Sequence, residues 1–410
     1  MIQKGFPRIF QSRLLRRIVK IISLVFLTLV ILIGGLFTWA LTATDTSLLA
    51  RGLIWGDADV NDWQRLPNRS IKASLKPVQF PTTNKIQITE LLNQLKIDDT
   101  IPFRDFLQYS DTTAFIIIHG NELVYEEYFN GSSREATQSS QSVAKSFLST
   151  LVGIGIDEGY IGGLDEPVTD YIPELLDRDE KFADITIRHL ITMSSGLRFV
   201  REWSPYSDNS ITYYDPDLRA AALSSEIVES PGVNFHYNDY NPLLVGMVLE
   251  RATGVPVAEY LETRLWQPMG AEGDGSWSLD SERSGFEKMN TGVNGRAIDL
   301  AKLGWLFLNH GRNGDKQVIP VNWVDEATRL DNSTDPALHY QYYWWIDVKH
   351  NAYWAEGNFG QSIYVYPEAD LVLVRMGDTG EKQKYVNVNW TPKFLRSVAQ
   401  YLQDYFKQSS

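Results

Sequence analysis

From Ile21 to Leu41 the chain runs 21 residues without a charged side chain, IISLVFLTLVILIGGLFTWAL. As a helix rising 1.5 Å per residue this covers roughly 30 Å, the hydrocarbon thickness of a bilayer. Lys4, Arg8, Arg13, Arg16, Arg17 and Lys20 precede it with no acidic residue among them. Basic residues before the run and acidic sequence after it place the N-terminus in the cytoplasm, and Trp39 stands where an interfacial anchor belongs. A cleaved signal peptide has an apolar region of about 7–15 residues ending in a small-x-small site. This run is longer, and Leu41 with Ala43 makes a poor cleavage pair. The expectation is an uncleaved single-pass anchor in the plasma (inner) membrane, with the remaining chain on the periplasmic side.

Setting those six basic residues aside leaves 32 basic against 51 acidic side chains, a charge of −19. So acidic a body argues against nucleic acid, whose phosphates need a basic face. With no cysteine there is no disulfide framework, thiolate metal site or cysteine nucleophile. The six histidines form no HExxH or other close ligand spacing, so neither a metal nor another cofactor is expected.

The spans expected are a basic tail over 1–20, the anchor over 21–41, an extracytoplasmic spacer over 42–100 and a globular domain over 101–410. Within the spacer a short amphipathic helix is predicted near Ile88–Leu95. TTAFIIIHGNELVYEEYF reads as a hairpin turning near Gly120-Asn121, and a helix follows from about Ser142 to Asp157. The middle of the chain is helical, with Pro242 and Gly254 bracketing one helix. The last third returns to strands, YQYYWWIDV, AYWAEG, QSIYVYP and DLVLVRMGD, closed by the amphipathic helix KFLRSVAQYLQDYF. Strands at both ends with helices between predict an α/β (α+β) fold: an antiparallel sheet flanked by helices, plus an inserted, mainly helical lobe.

The segment QSSQSVAKSFLSTLVGIG carries the chemistry. Ser142 is the only serine with a lysine three positions on, Lys145, and that spacing puts both on one face of a helix. A helix start favours developing negative charge. A serine hydroxyl needs a neighbour to take its proton, and a lysine does so when burial lowers its pKa enough to leave a neutral amine. The bare spacing occurs about once by chance in a chain this long, so the surrounding sequence has to decide.

SVAK, ITIRHLITMSSGL (185–197), PGVNFHYNDYNPLLVGMVLERATG (231–254) and GVNGRAIDLAKLGWLFLNHG (292–311) occur in this order. Together they resemble the serine β-lactamase-related superfamily of class C β-lactamases, D-Ala-D-Ala carboxypeptidases and esterases. GNFGQSIYVYPEADLVLV and DVNDWQRLPNRSI are most similar to its 6-aminohexanoate-dimer hydrolase-like subgroup. The resemblance runs from about Gln108 to the C-terminus and implies a β-lactamase/transpeptidase-like fold and serine hydrolase activity. It implies Ser142 as nucleophile, Lys145 as its activating partner and Tyr237 as the proton relay to the leaving group. Asp239 falls where the Tyr-x-Asn box usually has asparagine. Asn241 is a rival for that role, but before Pro242 it is expected to cap a helix. The third box, Lys-Thr-Gly or His-Thr-Gly in the family, reads Ala355-Glu356-Gly357. Gly357 keeps the close backbone approach, and a main-chain N–H at Asn358 joins that of Ser142 as an oxyanion hole. Tyr206 is a candidate for the cleft wall.

The expected function is a membrane-anchored serine hydrolase of a small-molecule ester or amide, without nucleic acid or metal partners. Loss of the third-box cation favours neutral or cationic substrates. The alternatives are a non-hydrolytic penicillin-binding or sensor-type protein, or a carboxypeptidase or β-lactamase. An α/β-hydrolase is excluded, since no Gly-x-Ser-x-Gly occurs.

Overall fold

The computed structural model describes residues 8–82, 85–97, 100–202, 204–329, 337, 339–378 and 390–409. They fall into two compact units, 1–57 and 58–410; Lys4 lies outside the described residues.

The first unit holds helix α1, Arg8–Thr42, and helix α2, Leu48–Trp55. Within α1, Leu15–Thr42 is long and apolar enough to cross a membrane, with a mean hydropathy of 2.7 over its apolar window and none of that window buried. The Ser47 side chain accepts the Ala50 N–H and starts α2, which packs on the end of α1 through Ala40, Ala43, Ala50 and Ile54.

In the second unit, chain order runs β1 (Asn68–Ile71), helix α3 (Lys85–Gln94), β2 (Thr112–His119), β3 (Glu122–Tyr128), β4 (Thr137–Ser139) and helix α4 (Ala144–Asp157). A mainly helical lobe follows, which includes α5 (Tyr240–Thr253). The chain returns through β5 (Gly275–Ser278), β6 (Val293–Arg296) and helix α6 (Ala297–Leu308). It closes with β7 (Tyr340–Gln341), β8 (Trp344–Asp347), β9 (Ala352–Gly357), β10 (Gln361–Tyr366), β11 (Leu371–Gly377) and helix α7 (Trp390–Ser409). The main sheet is seven-stranded and antiparallel in the order β7-β8-β9-β10-β11-β2-β3, built from both ends of the domain as expected.

Both faces of this sheet are buried, and β2 shows how. Ala114, Ile116 and Ile118 pack toward α4, α5 and α6, while Phe115 and Ile117 join Phe103, Phe394, Leu395 and Val398 toward α3 and α7. Strand period 2 sends alternate residues to opposite layers, so the run FIII suits a central strand covered on both sides. Each buried Ile or Phe contributes ~1.5–3 kcal/mol relative to exposure.

A second sheet, β1-β5-β6-β4, aims the chain at the site. Ser139 of β4 pairs with Asn294 of β6, and the Ser140 N–H donates to Val293 O at 2.9 Å. That pairing delivers the chain to Ser142 and holds residue 290 close by.

Three expectations need correction. The stretch read as a spacer also supplies β1, which pairs with β5 as Ile71 is buried, while α3 falls where the short amphipathic helix was expected and buries Ile88 and Leu92. YQYYWWIDV is two strands joined by a tight turn at Tyr342-Tyr343, with φ of 38° and 66°. Asn241 does not cap α5, which starts one residue earlier; its Oδ1 accepts from Ser195 Oγ at 2.6 Å.

Candidate active site

Ser142 sits in a single 3₁₀ turn, Gln141–Val143, that runs directly into α4. Gln141 before it has φ of 48°, a left-handed conformation that non-glycine residues rarely hold and that concentrates at functional positions. The Ser142 N–H therefore stands at the positive end of a 14-residue helix.

Lys145, one turn further along, is 1% exposed. Its Nζ donates to Ser142 Oγ at 2.9 Å and to Asn290 O at 2.7 Å, and it pairs with Asp239 Oδ1 at 2.9 Å. It also lies 4.9 Å from the Tyr237 ring centroid. The structure thus brings Ser142, Lys145, Tyr237 and Asp239 together from α4 and the lobe. Burial acts to lower the Lys145 pKa, but Asp239 and then Tyr237 outweigh it and raise it above the usual lysine range. The expected lowering by burial is thus opposed by Asp239, the acid that stands where the family pattern has asparagine.

Tyr237 is held by stacking rather than by depth. Its ring lies parallel to Trp345, 5.9 Å away at 13°, and edge-on to Tyr340 at 5.9 Å. Arg201 donates to Tyr237 O at 2.8 Å and sets its guanidinium 5.3 Å from the ring. Asn238 points away and binds Leu197 O and the Tyr240 N–H, so it serves the lobe.

Across the cleft, β9 brings Gly357 against the nucleophile. A Cβ there would lie 2.7 Å from Ser140 O and 2.9 Å from Ser142 N, so only glycine allows the approach. Asn358 follows at the exposed start of a turn whose next residue, Phe359, has φ of 65°. Glu356 accepts from Trp354 Nε1 at 2.9 Å. Its pKa is raised by burial, against the opposing effect of that bond. Tyr206 is 68% exposed and makes no side-chain contact with the other candidates among the described residues.

Sequence reasoning missed Asn290, whose carbonyl fixes Lys145, and the tyrosines of the β7–β8 turn. Ser146 Oγ donates to Tyr343 O at 2.7 Å and ties that turn to α4. The Tyr343 hydroxyl is buried without a partner among the described residues. Its pKa is well above the usual tyrosine value through burial, then through Tyr237 and Asp239. The one available signal was an aromatic pair where a tight turn prefers Asn-Gly. Among the described residues no group of His, Asp and Glu is arranged to hold a metal.

A two-faced antiparallel sheet with a helical lobe, and a serine–lysine pair at the head of the buried helix, define the class of serine hydrolases built on the β-lactamase fold. The Beta-lactamase family model matches residues 105–395, and the chain belongs to that family. It is similar to the 6-aminohexanoate-dimer hydrolase of Paenarthrobacter ureafaciens, 26% identical over 360 residues that cover 78% of this chain and 86% of that protein. It is also similar to Esterase EstB of Burkholderia gladioli, 30% identical over 190 residues, 42% of this chain and 48% of the esterase. A solved Bacillus anthracis structure assigned as a 6-aminohexanoate-dimer hydrolase shares the fold. Its TM-score is 0.70 at 22% identity, over 83% of this chain and 92% of that one.

Proposed function

We propose that the protein is a serine hydrolase that cleaves a neutral ester or amide through an acyl-enzyme on Ser142. The observation that carries this is the 2.9 Å contact between Lys145 Nζ and Ser142 Oγ at the head of a helix. The reactive form is the one in which Lys145, paired with Tyr237 beside it, has given up a proton. Ser142 Oγ then attacks the carbonyl carbon while its proton passes to the pair. The carbonyl electrons move onto oxygen, facing the N–H groups of Ser142 and Asn358. Collapse of this intermediate expels the alcohol or amine, which takes the proton from the pair. Water attacks the acyl group by the same route and returns the proton to Ser142 Oγ.

The amidase and esterase relatives support hydrolysis, and Ala355-Glu356-Gly357 supports a neutral substrate, since the family cation is replaced by an acid. Arg201 is the guanidinium beside Tyr237 that would serve an anionic substrate instead. The proposal includes an uncleaved α1 anchor with the catalytic unit outside the cytoplasm, supported by the six basic residues ahead of its apolar run.

The test is labelling with a fluorophosphonate, followed by turnover on a panel of short esters, linear amides and β-lactams. Ser142→Ala is expected to abolish both while the fold persists. Undiminished turnover in that variant ends the proposal, and labelling without turnover of any substrate favours a penicillin-binding protein instead.

A further inference from the structure

Behind the turn that follows Gly357 lies a buried cation to which the chemistry above gives no role. Arg375 of β11 is 0% exposed, and its neighbours in the ladder are Ser362 of β10 and Phe115 of β2. Its Nη1 donates to Phe359 O at 3.0 Å and to Gly360 O at 2.8 Å. Its Nε donates to Thr112 Oγ1 at 3.0 Å and its Nη2 to Ser110 O at 2.5 Å. Beside it, Gln361 Nε2 donates to Gly377 O at 2.7 Å, and the Gly377 N–H donates back to Gln361 Oε1 at 3.1 Å. Two consecutive carbonyls of one turn, both on one guanidinium nitrogen, fix the peptide planes that follow Phe359 and Gly360.

An enclosed guanidinium is a costly way to fill space. Buried charges are often replaced by apolar side chains without loss of stability. Burial lowers the Arg375 pKa to about 9 against the opposing effect of Asp111, yet it remains a cation at neutral pH. The turn needs holding, because Phe359 is left-handed without being glycine and because Asn358 next to it is exposed.

We propose that Arg375 is a positioning residue for the oxyanion-binding turn: it grips the Phe359 and Gly360 carbonyls so that the main-chain N–H at Asn358 stays aimed at the carbonyl attacked by Ser142. Its charge adds a fixed positive potential behind the site where negative charge develops. The proposal rests on the acyl-enzyme reading of Ser142. A donor displaced from a transition-state charge lowers kcat and leaves ground-state binding in place.

Arg375→Lys and Arg375→Met are therefore expected to fold, to lose about 10- to 10²-fold in kcat and to keep KM within about twofold. Fluorophosphonate labelling of Ser142 is expected to slow by a similar factor, with lysine the milder change because it keeps the charge but reaches one carbonyl. A kcat within twofold of wild type in the folded methionine variant overturns the proposal, as does a loss confined to thermal stability or to KM. Should neither variant fold, Gln361→Leu loosens the same turn without removing the charge; it is expected to lower kcat at unchanged KM, and unchanged kcat there overturns the proposal. Wild-type protein run alongside separates the two claims. If it neither turns over substrate nor labels, the acyl-enzyme reading falls and this proposal with it; if it is active and the Arg375 variants match it, this proposal alone falls.

Discussion

Asp239 stands where the family pattern usually has asparagine, and its consequence is electrostatic. A carboxylate 2.9 Å from Lys145 stabilises the ammonium and so opposes loss of the proton that activates Ser142. The acidic limb of kcat/KM should therefore rise as Lys145 deprotonates, and at higher pH than an amide at position 239 would give. Asp239→Asn removes the stabilising charge, so the limb is expected to move to lower pH, with activity raised below the wild-type midpoint. A pH–rate profile that stays in place or moves upward contradicts this. Tyr237→Phe tests the relay: with Trp345 and Tyr340 still packing the ring, the fold is kept and kcat falls at least about 10²-fold. Equal activity per folded molecule, with a lowered Tm, makes Tyr237 a packing residue. The grouping of Ser142, Lys145 and Tyr237 was legible because their signals are local, a three-residue spacing and a short box. Asn290 and Arg375 were not, because their partners lie far away in sequence, reached only by strand pairing.

At the scale of elements, periodicity found the long pieces and missed the short ones. The β2–β3 hairpin, α4, α5 and α7 were readable from alternation, from the 3.6-residue period and from Pro242 with Gly254, whose φ of 72° ends α5. The second sheet was not, since strands of three or four residues are too short to show a period. The turn inside YQYYWWIDV stayed hidden because tyrosines occupy the left-handed positions, held by Ser146 and by Arg188 bonding Tyr342. The close contact between elements that borders the site is β9 against the head of α4. Gly357→Ala puts a methyl where Ser140 O and Ser142 N already lie and forces the strand away. A shift of about 1 Å at such a place costs about 10²-fold in rate. Full activity in that variant, measured with labelling rate and Tm, would show that β9 does not border the reacting atoms.

For the whole molecule, strands at both ends and helices between were enough to foresee a sheet closed by distant segments, because only pairing those ends buries both faces of β2. The apolar helix belongs to a unit of its own, with the apolar window of Leu15–Thr42 exposed among the described residues. Full-length protein is expected to remain in the membrane fraction after an alkaline wash, and a mature soluble form beginning near Thr44 would contradict the anchor. Acyl transfer to Ser142 is covalent, so the most direct measurement is intact-mass and peptide mapping after rapid quenching of the full-length protein with a slow ester. A one-acyl mass increase on the Ser142 peptide, forming and decaying at rates that account for turnover, is the result predicted; turnover with no adduct on Ser142, or an adduct on another residue, would contradict it.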